Sequence, residues 1–126
     1  MRYSYQRDKI LEIVRNSSDH PTAKTIYLRC KKEIPNISLG TVYRNLNALV
    51  LNKEVKKIEI PSDSDRFDKT LYNHYHFYCN NCKQVYDIEL KNIKNINKII
   101  ENDTNYIVNG INILVDGICH NCKKEN

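Results

Sequence analysis

No stretch of this chain stays apolar long enough to span a membrane, no hydrophobic leader opens it, and no segment of it repeats. A membrane protein, a secreted protein and a repeat array are therefore not expected, and a cytoplasmic protein is. Tryptophan is absent, and three glycines and three prolines leave few punctuation points. Cytoplasmic disulfides rarely persist, so the five cysteines call for another explanation.

Four of those cysteines form two Cys-x-x-Cys pairs, Cys79/Cys82 and Cys119/Cys122. Two pairs at that spacing can give four thiolates to one tetrahedral ion, and zinc is the usual occupant. A thioredoxin-like redox motif would need only one pair, and the polar surroundings of these do not resemble its helix start. A structural Zn(II) held by Cys79, Cys82, Cys119 and Cys122 is the expectation. Cys30 is different: it continues the series Ala23, Ile26, Tyr27, Cys30, Ile34 at helical spacing and reads as a small buried hydrophobe. At 126 residues the chain suits one or two small domains, whose cores often need a metal or an oligomer.

The formal charge of +5 is unevenly spread. Residues 1–60 carry 12 Lys/Arg against 6 Asp/Glu, whereas residues 61–126 carry 8 against 9. A basic first half fits a phosphate-bearing partner, and the near-neutral second half another task. Within the first half the pattern predicts three helices. The first spans residues 5–17 with Ile10, Leu11, Ile13 and Val14 inward. The second runs from a Thr22 cap to about Lys32, before Pro35, and the third from a Ser38 cap to about Asn52. Leu39, Val42, Leu46, Leu49 and Val50 form the third helix's apolar stripe, leaving Thr41, Tyr43, Arg44, Asn45 and Asn47 as candidates for contact with base edges and phosphates. Strands at 55–60 and 66–72 flank the turn signal Pro61 to Asp65. Three helices followed by a hairpin is the order of a winged helix-turn-helix, in which the third helix enters the major groove of double-stranded DNA, against the alternative of a generic helical bundle with a polar face.

The second half predicts strands at about 75–78 and 84–90, a helix at 91–102 with Ile93, Ile96, Ile99 and Ile100, and a strand at 106–115 with Ile107, Ile111, Ile113 and Val115. So small a unit cannot bury that much apolar surface alone, so a homodimer is expected. The fold class is α+β: a winged-helix DNA-binding domain over residues 1–72, then a small α+β metal-binding dimerisation domain over 73–126.

His74 and His76 lie two apart on one strand, so their imidazoles share a face. Asp87 is on the next strand and Asp68 on the wing's second strand; both can reach the same ion if the chain folds back. Imidazole and carboxylate suit Fe(II), Mn(II) or Zn(II). On spacing alone His20, before Pro21, reads as a turn residue rather than a ligand.

The runs His20-Pro21-Thr22-Ala23, SLGTVYRNL from Ser38 to Leu46, Arg66-Phe67-Asp68, HYHFYCNNC from His74 to Cys82 and Cys119-His120-Asn121-Cys122 together resemble the ferric uptake regulator (Fur) family, from about Tyr5 to the C-terminus. Within it the chain is most similar to the peroxide-sensing repressors called PerR. The resemblance implies a regulatory ion, Fe(II) or Mn(II), held by His20, Asp68, His74, His76 and Asp87. The iron-sensing branch usually carries Glu where this chain has Asp87. Family members usually have a further helix ahead of the counterpart of Arg2 to Arg7; this chain begins almost there, so that helix is expected to be lacking. His120 matches no ligand position.

The resemblance also implies a mechanism: Fe(II) reacts with hydrogen peroxide, oxygen is added to His20 or His74, the weakened site loses its ion and repression ends, whereas Mn(II) represses without responding. No substrate is turned over, and no general base or oxyanion donor stands apart from the ligands, so an enzyme is not expected. An Fe(II)- or Zn(II)-responsive uptake repressor is the alternative within the class. A metallohydrolase and a zinc-stapled interaction module are the alternatives outside it.

Overall fold

The computed structural model describes residues 4–71, 75–88 and 96–124, which fall in two compact units, Met1–Leu71 and Tyr72–Asn126. In the first, α1 (Tyr5–Arg15), α2 (Ala23–Cys30) and α3 (Leu39–Leu51) precede the antiparallel strands β1 (Lys56–Ile58) and β2 (Arg66–Asp68). Each helix starts where a hydroxyl can satisfy an otherwise unpaired amide. Ser4 Oγ accepts from Arg7 N, Thr22 Oγ1 from Thr25 N and Ser38 Oγ from Thr41 N, at 3.1–3.3 Å. The expected Thr22 and Ser38 caps are both formed.

The apolar faces meet in one core containing Ile10, Val14, Ile26, Val42, Leu46 and Leu49, joined by Val55 and Phe67 from the hairpin region. Cys30 is fully buried there, as its spacing predicts. Leu39, expected in the stripe, is instead 38% exposed, because it occupies the first helical position, before the stripe turns inward. The wing strands pair Lys56 with Asp68 and Ile58 with Arg66, and are shorter than expected: after Ile58 the chain enters the turn at Pro61–Ser62, where Ser62 has φ 64°.

β2 also pairs with the link between α1 and α2. Phe67 N donates to Pro21 O at 2.9 Å, Arg66 Nη1 donates to His20 O at 3.2 Å, and Thr22 bridges Arg66. These bonds hold His20 in the left-handed region, φ 50°, which histidine enters more readily than most residues. Arg29 braces the same link, donating to both carboxylate oxygens of Asp19 at 2.6 and 3.1 Å and to Ser17 Oγ at 2.8 Å.

The second unit is a three-stranded sheet ordered β4-β3-β5, with β3 (Tyr75–Cys79) central, β4 (Val85–Ile88) antiparallel to it and β5 (Leu114–Gly117) parallel. Helices α4 (Ile96–Thr104) and α5 (His120–Lys124) complete the described elements. The strand expected over 106–115 is a correction: residues 105–113 form no regular structure and β5 begins at Leu114. Apolar alternation supplies a face but not a partner, and among the described residues β3 is in parallel register only with Leu114 to Gly117, from His76 to Cys79. Asn105, at φ 60°, turns the chain out of α4 before that register is reached. The short α5 was not foreseen. Ile93 and the expected strand and helix portions at 89–95 lie outside the described residues, as do Tyr72 and His74. None of the described α4 residues is buried, and Tyr106 and Ile107 are 70% and 84% exposed.

Hydrogen bonds from Arg29, before the opposing effect of burial, hold the Asp19 carboxyl below its ordinary value of 3.8. Arg29→Ala should therefore lower the stability of the first unit near neutral pH. The pair is about half exposed, so the loss is screened to about 0.5–1 kcal/mol. A depressed carboxyl stabilises the fold above its unfolded pKa and loses that effect as pH falls through the lower folded value. The gap between parent and variant in urea unfolding should accordingly close as pH is taken below 3.8.

Candidate metal centres and nucleic-acid face

β3 ends at Cys79, and a tight turn returns the chain to β4: Cys79 N donates to Gln84 O, Lys83 N donates to Cys79 O, and Lys83 sits at φ 65°. That turn carries Cys82. On the other edge the parallel register sets Gly117 beside Cys79, and Asn80 N donates to Gly117 O at 2.7 Å, which delivers Cys119 and Cys122 to the same place. A Cβ at Gly117 would stand 3.3 Å from the Phe77 ring, so glycine allows this close approach.

All four sulfurs lie within 4.8 Å of one another, and Cys82 Sγ and Cys119 Sγ are 3.8 Å apart. Thiolates on a tetrahedral ion with bonds near 2.3 Å would be separated by about 3.8 Å. Their electrostatics also favour thiolate at two positions. Burial pushes the Cys79 thiol up, but backbone amides of Cys119 and Cys82, both donating to its sulfur at 3.4 Å, bring it down to about 6. The backbone at Cys122 lowers Cys119 in the same way, against the effect of burial. At Cys122 a hydrogen bond with Asn81 lowers the thiol, yet burial and the three other sulfurs prevail and push it up to about 12. Four crowded sulfurs cannot all ionise without a cation among them, so the donor set fits structural Zn(II). All five cysteines are free thiols here, and burial raises the thiol of Cys30.

Each unit also presents a His–Asp pair. In the first, β2 pairing brings His20 Nε2 to 3.7 Å from Asp68 Oδ2, with both residues buried and Thr70 N donating to Asp68 Oδ1. In the second, sheet register sets His76 opposite Asp87, with Nε2 3.4 Å from Oδ1. His76 is 3% exposed and the Asp87 side chain 53%. A ring nitrogen and a carboxylate oxygen bound to one tetrahedral ion at about 2.1 Å would be about 3.4 Å apart. Both pairs are thus close to ligand spacing, and their nitrogen and oxygen donors fit a regulatory divalent cation. The spacing argument made His20 a turn residue; the pairing of β2 with Pro21 turns its ring towards Asp68.

On α3, Tyr43, Arg44 and Asn47 are exposed, and Thr41 is partly buried, accepting from Arg44 Nη2 at 3.0 Å. Asn45 is a correction to the expected contact face. It is 8% exposed, shares the inward side with Val42 and Leu49, and spends its amide on Thr41 O at 2.9 Å. A polar residue can sit on the core face when the helix's own carbonyl satisfies it. Sequence reasoning also passed over Tyr86, whose hydroxyl donates to Cys119 Sγ at 3.7 Å. Its place four residues after Cys82 could have drawn attention to it.

A winged helix in the first unit and a zinc-type thiolate cluster in the second are the parts of a class of metal-containing regulators. The model of the ferric uptake regulator family matches residues 1–115, and the chain belongs to that family. The peroxide operon regulator of Bacillus subtilis is 35% identical over 127 aligned positions, which take in 100% of this chain and 88% of that protein. The peroxide-responsive repressor PerR of Staphylococcus epidermidis is 31% identical over 125, covering 99% and 83%. Among solved structures, the Campylobacter jejuni peroxide stress regulator matches with a TM-score of 0.79 at 30% identity, over 93% of this chain and 88% of that one. The Helicobacter pylori ferric uptake regulator reaches 0.88 at 19% identity, over 98% and 83%, a likeness of fold alone. Among the described residues no helix is long and apolar enough to cross a membrane.

If the four thiolates hold zinc, Cys119→Ser should abolish stoichiometric zinc in native mass spectrometry and loosen the second unit, since structural zinc supplies about 10–16 kcal/mol in small domains. Cys30→Ser should leave the zinc content unchanged.

Proposed function

We propose that this chain is a metal-dependent transcriptional repressor that senses hydrogen peroxide through Fe(II)-catalysed oxidation of ligand histidines. One observation carries the proposal: His20 and His76 are both buried and each turns Nε2 towards an aspartate oxygen, Asp68 and Asp87 respectively. Buried imidazoles paired with carboxylates, in a member of this family, are suited to a regulatory cation. The similarity to proteins named peroxide regulators, with Asp at position 87, supports peroxide over iron supply as the signal.

In this reading residues 1–72 bind double-stranded operator DNA through Thr41, Tyr43, Arg44 and Asn47 of α3, and residues 73–126 form the dimerisation domain of a cytoplasmic homodimer. The apolar side chains of Tyr106, Ile107 and Ile99 would be covered by the second copy. His20, Asp68, His74, His76 and Asp87 form the regulatory ligand set, and Cys79, Cys82, Cys119 and Cys122 the structural one. Occupancy of this ligand set is the signal that DNA binding responds to. DNA affinity can then rise only by the factor with which these ligands grip the ion more tightly in the DNA-competent arrangement. Held by these ligands, Fe(II) would supply the redox chemistry that breaks the O–O bond of hydrogen peroxide, one oxygen adding to a ligating ring that gives up two electrons and the other leaving as water. His20 and His74 are the rings assigned that fate. An oxidised imidazole is a poorer lone-pair donor, so the ligand set loosens and the DNA-competent arrangement loses its advantage.

Two experiments test this. Tyr43→Ala and Arg44→Ala should each weaken operator binding, measured by fluorescence anisotropy, while leaving metal content unchanged. A base-edge contact is worth about 1–3 kcal/mol of discrimination and a phosphate contact lowers affinity across all sequences alike. Operator binding equal to the parent's in both variants would remove α3 as the reading element. For the sensor, Fe(II)-loaded protein given low peroxide should gain oxygen on the His20 or His74 peptide and release DNA, whereas Mn(II)-loaded protein should do neither. Asp87→Glu should blunt the oxidation while keeping metal-dependent DNA binding. Oxidation confined to cysteines would point instead to a thiol switch or an uptake repressor.

A further inference from the structure

Tyr86 lies on β4 opposite Phe77, and its hydroxyl reaches across the end of the sheet to the sulfur cluster, 3.7 Å from Cys119 Sγ and 4.0 Å from Cys82 Sγ. A metal-bound thiolate can only accept, so a phenol at these distances acts as the donor. Beside it is a cavity of about 250 Å³ walled by Phe77, Ile88, Ile118 and His120, which opens onto Cys119 and is wide enough for a small neutral oxidant. Cys82 is exposed on its own account.

We propose that Tyr86 is a positioning residue for the thiolate zinc centre, its O–H donating to the sulfurs of Cys119 and Cys82 and so protecting them from hydrogen peroxide. The inference rests on zinc at the four cysteines and is independent of histidine oxidation. Oxidative loss of the centre requires two thiolates to give up one electron each: an S–S bond forms, the O–O bond of hydrogen peroxide breaks, two hydroxide ions leave, and Zn(II) departs with its charge unchanged. The sulfur lone pair is the nucleophile in the first displacement, and a donated hydrogen bond lowers its energy and its reach towards the peroxide oxygen. Groups that hydrogen-bond to metal ligands commonly set the ligands' donor strength in this way.

The test uses the full chain with zinc bound and Mn(II) supplied, which keeps iron chemistry out. Zinc released by hydrogen peroxide is followed with a colorimetric chelator in the parent, Tyr86→Phe and Tyr86→Leu. Tyr86→Phe keeps the ring and removes only the hydroxyl. It should release zinc on the order of tenfold faster, the factor one hydrogen bond to a charged acceptor is worth; Tyr86→Leu should match it. In Co(II)-substituted protein, Tyr86→Phe should move the sulfur-to-metal charge-transfer band to longer wavelength, a shift that a purely structural role would not produce. Parent-like release and band position in Tyr86→Phe overturn the proposal, and fast release in Tyr86→Leu alone would assign the protection to ring bulk. A parent protein without stoichiometric zinc overturns the zinc assignment as well, and is told apart from a failure at Tyr86 by mass spectrometry before peroxide is added.

Discussion

Four sulfur atoms meet at the end of the second unit's sheet, and its strands and turns are arranged to bring them there. Among the described residues Cys79, Cys119 and Cys122 form a buried cluster, with Phe77 packed against it. The described α4 residues contribute no buried side chain, and Tyr78 and Val85 are the remaining buried hydrophobics of the described sheet. Structural zinc adds about 10–16 kcal/mol of folding free energy to small domains. The sheet is arranged to make those metal–thiolate bonds. The antiparallel turn after β3 presents one Cys pair and the parallel β5 delivers the other, so the same backbone ladder builds both the fold and its staple.

The first unit is constructed on the opposite principle. Its helices bury Ile10, Val14, Ile26, Val42, Leu46 and Leu49 completely, and three hydroxyl caps set where those helices begin. Here the polar interactions do a smaller and more local task. The bonds from Phe67 and Arg66 to the Pro21 and His20 carbonyls fasten the wing to the α1–α2 link, and Arg29 clamps the same link from the other side. A left-handed histidine is affordable only where such contacts over-determine it. The result is a His20–Asp68 pair that belongs to the architecture of the unit as much as to any ion.

Local chemistry in the sequence by itself determined the three helices and their caps, the burial of Cys30, the antiparallel wing and the two thiolate pairs, because helical period, hydroxyl caps and Cys-x-x-Cys spacing act over a few residues. His76 and Asp87 were legible for the same reason, since adjacent antiparallel strands joined by a short turn put them in register. Tertiary structure decided the rest. Asn45 looked outward by composition and is held inward by the Thr41 carbonyl. Ile107 and Ile111 alternate like a strand, but β5 starts only at Leu114, in register with His76. His20, a turn residue by its neighbour Pro21, faces Asp68 because β2 pairs with a backbone segment more than forty residues earlier. Such pairings depend on which edges and carbonyls remain available once the core has formed, and that is a property of the assembled fold rather than of any window of sequence.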